Sequence, residues 1–312
     1  KSEIYDESVI NRFFLAACEN GDLPLVKFLI NSYPSIKFLE NEECFIQSCT
    51  SGSIQLAKFL LDQKPELNNP ENVNGIFINI WSNNKLDMAK WFFELNSELN
   101  LINNISNYDE IEVACLNGTI QKGNLEFVKF IDYINDESTW IHVIERAFKS
   151  ACETGQIEIV KFLSPKIELH FPYQQNNDLY DSLFNTCCYS GNSELTEWIY
   201  NKFKPTSTNL EYCFENINDL IEEGHLKVVK WLYYKFPDKY SLSSRSYFVF
   251  SGCDDSEILD FYDWLYEINP NINFEDDIED LIENYIQSNS LRIIKWLIKK
   301  FERFSEGFDY ND

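Results

Sequence analysis

Basic side chains are scarce in this chain of 312 residues, which carries 26 Lys and Arg against 51 Asp and Glu and has a formal net charge of -25. Affinity for nucleic acid comes largely from cations that displace counterions from phosphates, and attraction to anionic membranes has a similar origin. Direct nucleic-acid binding and membrane attachment are therefore disfavoured, and a protein, possibly basic, is the predicted partner. With 44% hydrophobic and 16% aromatic residues, the chain is too apolar for a disordered acidic tail.

Long hydrophobic runs and paired cysteines are also lacking. No stretch approaches the roughly 18 apolar residues of a membrane span, and the first six residues contain no signal-peptide core. The nine cysteines are odd in number and form no CxxC pair, which favours a reducing compartment over a disulfide framework. We therefore expect a soluble, intracellular protein of the cytoplasm.

Signatures of catalysis and of cofactor binding are missing. The three histidines form no HExxH motif, and the cysteines have no zinc-type spacing, so neither a metal nor a cofactor is predicted. Residues 118–124 resemble a phosphate loop but lack the Lys-Ser/Thr that would follow the second glycine. His225 and the neighbours Cys187 and Cys188 are interpreted as structural, and no enzymatic activity is expected.

An internal repeat is what the sequence does contain. A nine-residue pattern reads GDLPLVKFL from Gly21, GSIQLAKFL from Gly52, GNLEFVKFI from Gly123, GQIEIVKFL from Gly155 and GHLKVVKWL from Gly224. Weaker copies start at Asn84, Gly191, Glu257 and Asn289. We call the first residue of each copy its origin. The nine origins follow one another in steps of 31, 32, 39, 32, 36, 33, 33 and 32 residues, which predicts an array of stacked units.

Each copy predicts two helices joined by a tight turn. Glycine at the origin adopts a positive φ at little cost, and apolar residues then recur at helical spacing, as Leu23, Val26 and Leu29 do. A second apolar pattern precedes the origin, and Cys stands three residues before the glycine that ends this pattern at positions 18, 49, 115, 152 and 188; that glycine is the origin in every case except Cys115, where it is Gly118. We predict that these thiols are buried and that the Phe or Trp seven residues after each origin lies in the core between repeats.

The two longest steps locate insertions. In the fourth unit the first helix is predicted to end at Gly118, so the five residues up to Gly123 form an insertion between its two helices. The 36-residue step is explained by a long connection over residues 170–178.

The segments AACENGDLPLVKFLI from Ala16 and GHLKVVKWLYYKF from Gly224 resemble the ankyrin consensus AAxxGHLEVVKLLLxxGADVN. The resemblance covers roughly residues 8 to 304 and implies an all-α fold, an α-solenoid of about nine helix-turn-helix repeats in a single domain over residues 1–312. The Asn-, Ile- and Phe-rich composition is similar to that of ankyrin proteins of giant DNA viruses of amoebae, or of amoebae, which implies a location in the host cytoplasm or the virion. No copy has the family's TPLH opening, so irregular finger turns, the connections between successive pairs, are expected.

Ankyrin arrays bind proteins, so the resemblance implies an interaction scaffold that holds a partner through its concave groove and finger turns. Two regions are candidates for contact with the partner: the long connection at 170–178, which can equally be an ordinary loop, and residues 246–291, which contain many carboxylates but no Lys or Arg before Arg292 and can equally be a solvated face that keeps the chain soluble. The residues singled out are Tyr173, Gln174, Gln175, Asp254, Asp255, Glu275, Asp276 and Asp277. The alternatives are a structural or virion-associated component that self-assembles, and an acidic decoy that mimics nucleic acid.

Overall fold

The computed structural model describes residues 6–98, 115–134, 137–172, 177–205, 215–237, 239, 250, 252–269 and 278–300. Within these ranges the chain is helical and contains no strand, which confirms the predicted all-α class. Its contacts divide the chain into two compact units, Lys1–His170 and Phe171–Asp312.

Unit 1 consists of neighbouring helix pairs. Its α-helices are α1 (Glu7–Glu19), α2 (Leu23–Ser32), α3 (Glu43–Ser51), α4 (Ile54–Gln63), α5 (Val73–Ser82), α6 (Leu86–Leu95), α7 (Leu125–Ile134), α8 (Glu137–Glu153) and α9 (Ile157–His170). A π-helix at Cys115–Ile120 precedes α7, and 3-10 helices lie at Phe38–Glu40 and Pro65–Leu67. α1 packs on α2, α3 on α4, α5 on α6, the π-helix on α7, and α8 on α9. The first helices also pack on one another in the order α1, α3, α5, π-helix and α8.

Unit 2 is built in the same way. Its helices are α10 (Asn177–Tyr189), α11 (Ser193–Phe203), α12 (Ile217–Glu222), α13 (Leu226–Lys235), α14 (Asp255–Ile268), α15 (Ile278–Gln287) and α16 (Leu291–Lys300). The pairs are α10 with α11, α12 with α13, and α15 with α16. Second helices of different pairs also meet, since α11 packs on α13 and α14 on α16.

The turn inside each pair depends on a residue with positive φ at the origin. This residue is Gly21, Gly52, Gly123, Gly155, Gly191, Gly224, Asn84 or Asn289. Asparagine is one of the few non-glycine residues that visit this region, which explains why it replaces glycine at two origins. In the first pair the next residue, Asp22, accepts a hydrogen bond from the Leu25 amide at 2.9 Å and so caps α2.

The turn predicted at Glu257 is wrong. Glu257 lies inside α14, and the nearby residue with positive φ is Gly252. Asp254 caps this helix by accepting hydrogen bonds from the amides of Ser256 and Glu257 at 2.8 and 2.9 Å. Because a strong N-cap stands before the origin, the helix begins earlier than in the other units, and α14 has 14 residues where α13 has 10.

The cysteines three residues before an origin are buried, as predicted, wherever their side chains are described. Cys18, Cys49, Cys152 and Cys188 are fully shielded from solvent. Burial raises the pKa of Cys18 to about 12, because a thiolate would lose its hydration there. These side chains therefore act as small apolar groups in the packing between helices.

The fourth unit differs from its prediction. A π-helix, Cys115–Ile120, runs past Gly118, where the first helix was expected to end. The Gly123 amide donates to the Ile120 carbonyl at 2.9 Å, so Ile120 occupies the position predicted for Cys115. Gly118 permits this path, since a Cβ there would lie 2.5 Å from the Ser82 Cα atom of α5. The extra residues are thus accommodated by the wider turn of a π-helix instead of a loop.

The aromatic residues seven positions after each origin do not form a buried core, in contrast to the prediction. Phe59, Trp91, Phe130, Phe162, Trp198, Trp231 and Trp296 are half-buried, Phe28 is exposed and Trp264 is buried. Lys27 Nζ lies 5.0 Å from the ring centre of Phe59, and Lys58 Nζ lies 5.9 Å from that of Trp91. Phe59 and Trp91 therefore lie at the edge between successive second helices, where a lysine of the preceding pair covers each ring.

Candidate functional site

The structure describes two of the eight predicted binding residues. Tyr173, Gln174, Gln175, Glu275, Asp276 and Asp277 lie outside the described residues. Asp254 is exposed and Asp255 half-buried at the N-terminus of α14. Because the Asp254 carboxylate binds two backbone amides of its own helix, it stabilises the start of α14 and has a structural role.

Lysines of neighbouring helices partly balance the acidic face of α14. Lys227 Nζ lies 3.9 Å from Glu257 Oε1, and Lys300 Nζ lies 3.9 Å from Asp263 Oδ1. Lys230 lies against the same helix, and burial lowers its pKa. Residues 246–291 contain no Lys or Arg, so the sequence of this segment predicts an unbalanced acidic surface. In the fold, the balancing lysines come from α13 and α16.

A different surface is formed by the first helices of unit 1. Leu15, Ile46 and Ile78 each stand six residues before an origin, on α1, α3 and α5. All three are half-buried. Since α1 packs on α3 and α3 on α5, these side chains form one row, which we call the aliphatic row. It offers apolar area that a partner can cover.

Uncharged polar groups accompany the aliphatic row. Gln47 and Asn79 each stand five residues before an origin, the first half-buried and the second exposed. Gln47 Nε2 donates to Glu43 Oε1 of the same helix at 2.5 Å. Side-chain amides both donate and accept hydrogen bonds, and burying one costs far less than burying a charge. The aliphatic row and the amides beside it are therefore suited to contact with a polypeptide.

Gly75 leaves an opening in the same surface. It lies inside α5, one turn before Asn79, and is exposed. A Cβ atom at Gly75 would meet no atom within 4 Å, and its φ is not in the left-handed region. Glycine inside a helix is destabilising by roughly 0.5–1 kcal/mol relative to alanine. Neither the backbone conformation nor the described packing requires glycine at this position. Because Gly75 has no side chain, another molecule has room to approach α5 closely.

A cleft of about 570 Å³ lies at the α1 end of the aliphatic row. It is lined by Asn11, Phe14, Leu15, Lys37, Phe38, Glu40, Asn41 and Glu42. One wall is α1 and the other is the finger turn between α2 and α3, so Leu15 belongs to both the cleft and the row. At the rim, Lys37 Nζ lies 2.6 Å from Glu40 Oε1, and this hydrogen bond raises the pKa of Lys37.

The finger turns are held in place by side chains of the next turn. Lys64 Nζ donates to the Leu39 carbonyl at 2.9 Å. Glu42 accepts hydrogen bonds from Asn69 Nδ2 at 3.2 Å and from Asn72 Nδ2 at 2.5 Å. These bonds connect turns of successive pairs. The wall of the cleft is thereby fixed by hydrogen bonds within the protein.

No group of three or more His, Cys, Asp or Glu side chains among the described residues is placed to hold a metal ion. No helix in the described part of the chain is long and apolar enough to cross a membrane.

The class that emerges is an all-helical protein of neighbouring helix pairs, with an aliphatic row and an adjoining cleft on the first helices of unit 1. Compared with known proteins, the chain matches no protein family, no curated protein and no solved structure. The row did have a sequence signal: a Leu or Ile stands six residues before each of the first three origins, next to the buried positions of the same helix.

Proposed function

We propose that the chain is a degenerate ankyrin-type solenoid that serves as a scaffold for another protein, bound along the first helices and finger turns of unit 1. The aliphatic row on α1, α3 and α5 carries the proposal. Centres of protein interfaces are depleted of charged residues. In a chain with a net charge of -25, a row of aliphatic side chains accompanied by amides offers the uncharged contact area that the centre of an interface requires.

The surface also indicates the chemistry of the partner. The aliphatic row favours a segment with apolar side chains, and the open space at Gly75 favours a backbone that lies directly on α5. The net charge of the chain attracts basic proteins over long distances and raises their rate of encounter. The described cysteines are free thiols, which supports a reducing compartment such as the cytoplasm as the place of binding.

The test is an affinity purification from the cells that make the protein, carried out with three versions of the chain. Gly75→Arg places a long side chain across the opening, and arginine is a good helix former, so folding should be preserved. Gln55→Arg adds the same charge to the exposed side of α4 and is the matched control.

We expect a set of proteins that wild type and Gln55→Arg retain equally and that Gly75→Arg loses by about tenfold or more, which corresponds to about 1.4 kcal/mol. If every protein retained by the wild type is retained equally by Gly75→Arg, the first-helix surface is not the binding site. Circular dichroism of all three versions shows whether any loss comes from unfolding.

A further inference from the structure

The cleft beside Leu15 contains one carboxylate whose charge is not balanced. The charged residues of its lining are Lys37, Glu40 and Glu42. Lys37 Nζ and Glu40 Oε1 lie 2.6 Å apart, so these two charges offset one another. Glu42 is half-buried, and no ion pair in the described part of the chain joins it to a cation. A negative charge without a counter-charge therefore lies in the wall of the cleft.

The neighbouring basic side chains do not balance Glu42. Lys64 Nζ donates to the Leu39 carbonyl of the finger turn and forms no ion pair with Glu42. Arg12 on α1 does not line the cleft and instead lines a separate depression together with Glu19. A carboxylate that is partly shielded from water interacts more strongly with a cation than a fully exposed one does. The described residues thus leave Glu42 open to a cation from another molecule.

Hydrogen bonds hold the Glu42 carboxylate in place and leave part of its acceptor capacity unused. Asn69 Nδ2 donates to Oε1 and Asn72 Nδ2 donates to Oε2. An ionised carboxylate offers about four acceptor sites, two on each oxygen. Each oxygen therefore keeps a site for a further donor. Two such sites side by side match the parallel N–H groups of a guanidinium, which binds carboxylates through two hydrogen bonds.

The rest of the cleft suits the stem of a long side chain. Phe14 and Phe38 are buried and stacked, with ring centres 4.4 Å apart, and form an apolar part of the lining. Leu15 beside them is half-buried, and Asn11 and Asn41 add uncharged polar groups. An arginine combines an apolar stem with a planar charged end and is more weakly hydrated than a lysine. Moving it into such a cleft therefore costs less hydration.

We propose that the cleft receives an arginine side chain of the partner protein, with the guanidinium on the Glu42 carboxylate and the stem on Leu15. The proposal rests on the proposed function, because this arginine belongs to the segment that lies along the aliphatic row. Packed helices are about 8–10 Å apart, so the cleft at α1 is separated from Gly75 on α5 by roughly 20 Å. About six residues of extended chain span that distance. The partner is thus a protein with an arginine at one end of a short apolar segment.

NMR of the isotope-labelled full chain tests the cleft without the natural partner. The probe is N-acetyl-L-argininamide, whose only charge is the guanidinium. Its matched counterpart is N-acetyl-L-citrullinamide, in which an uncharged urea replaces that group. We expect the side-chain amide signals of Asn69 and Asn72 to shift until they saturate, with a dissociation constant on the order of 1 mM. The citrulline probe should bind about tenfold more weakly or less.

Two substitutions remove the site in different ways. Glu42→Gln removes the charge, and Asn11→Lys places a cation of the chain itself in the cleft, so neither variant should show saturable binding of the arginine probe. Glu66→Gln removes the same charge from an exposed position that does not line the cleft and should bind like the wild type. Circular dichroism identifies a variant that fails to fold, and the other then decides.

Three results would overturn the arginine site. They are an arginine probe whose shifts do not saturate, a citrulline probe that binds equally well, and a folded cleft variant that binds as Glu66→Gln does.

Repeating the affinity purification with Glu42→Gln separates this proposal from the proposed function. If both hold, Glu42→Gln loses the same proteins that Gly75→Arg loses. If Gly75→Arg loses proteins that Glu42→Gln retains in full, the scaffold stands and the arginine contact is wrong. If Gly75→Arg retains every protein while the arginine probe binds at Glu42, the cleft binds arginine and the proposed role of the aliphatic row is wrong.

Discussion

Replacing Gly75 by alanine should make unit 1 more stable, although glycine is the residue that the sequence carries there. The new Cβ meets no atom within 4 Å, and the backbone of α5 already has a conformation that alanine favours. Removing glycine from a helix interior then gains about 1 kcal/mol. For a unit of this size, that corresponds to a rise in the melting temperature of about 2–4 °C.

Gly118→Ala is the matched control, with an effect of the opposite sign. Here the Cβ would lie 2.5 Å from the Ser82 Cα atom and from the carbonyl oxygens of Trp81 and Ser82. Because backbone atoms cannot rotate away, the π-helix and α5 must separate, which costs about 1–3 kcal/mol.

Thermal unfolding followed by circular dichroism and calorimetry measures both glycine variants. The reasoning is refuted if Gly75→Ala lowers the melting temperature or if Gly118→Ala leaves it unchanged. If Gly75→Ala stabilises the unit and also weakens the binding of a partner, this glycine is kept for contact with that partner and not for the fold.

Three further changes test individual interactions. Thr119→Val removes the acceptor, 2.6 Å away, of the buried Trp81 indole N–H and should cost about 1–3 kcal/mol in urea unfolding, whereas Thr119→Ser should restore most of the loss. Asn289→Gly should be neutral or stabilising and Asn289→Ala destabilising by about 1 kcal/mol, because φ there is 58°; equal melting temperatures would contradict this. Burial raises the pKa of Cys44 from 9.0 to about 11 and that of Cys18 to about 12. The unfolded thiols ionise first, so the free energy of unfolding should fall as the pH rises from 9.0 towards 11, and Cys44→Ala should reduce the slope.

Much of the local fold could be predicted because each repeat places the same type of residue at the same position, where it has the same structural role. Glycine or asparagine at an origin predicts a left-handed turn, and eight of the nine predicted turns have one. The exception is Glu257, where the repeat pattern competes with Asp254, a strong N-cap that determines where the helix begins. The buried thiols were predictable for the same reason as the turns, since a small residue recurs where helices are closest.

The remaining features depend on contacts between residues far apart in the sequence. The path of the π-helix up to Ile120 depends on the close approach of Gly118 to Ser82, 36 positions earlier. Lys227 and Lys300 balance the carboxylates of α14 from helices on either side. The aliphatic row recurs in the sequence, as a Leu or Ile six residues before each of the first three origins, but these residues look like ordinary core residues there, and only the structure shows that they are partly exposed.

The positions of the aromatic residues at the edge between second helices give the protein a set of built-in optical probes. Trp91 in unit 1 and Trp198 and Trp231 in unit 2 are half-buried, so their fluorescence responds to solvent and to added quenchers even in the folded chain. Trp81 is fully buried in unit 1 and hydrogen-bonded to Thr119, and its emission changes only when the surrounding helices separate. With single-tryptophan variants, the opening of one helix pair can be followed separately from the unfolding of the whole chain.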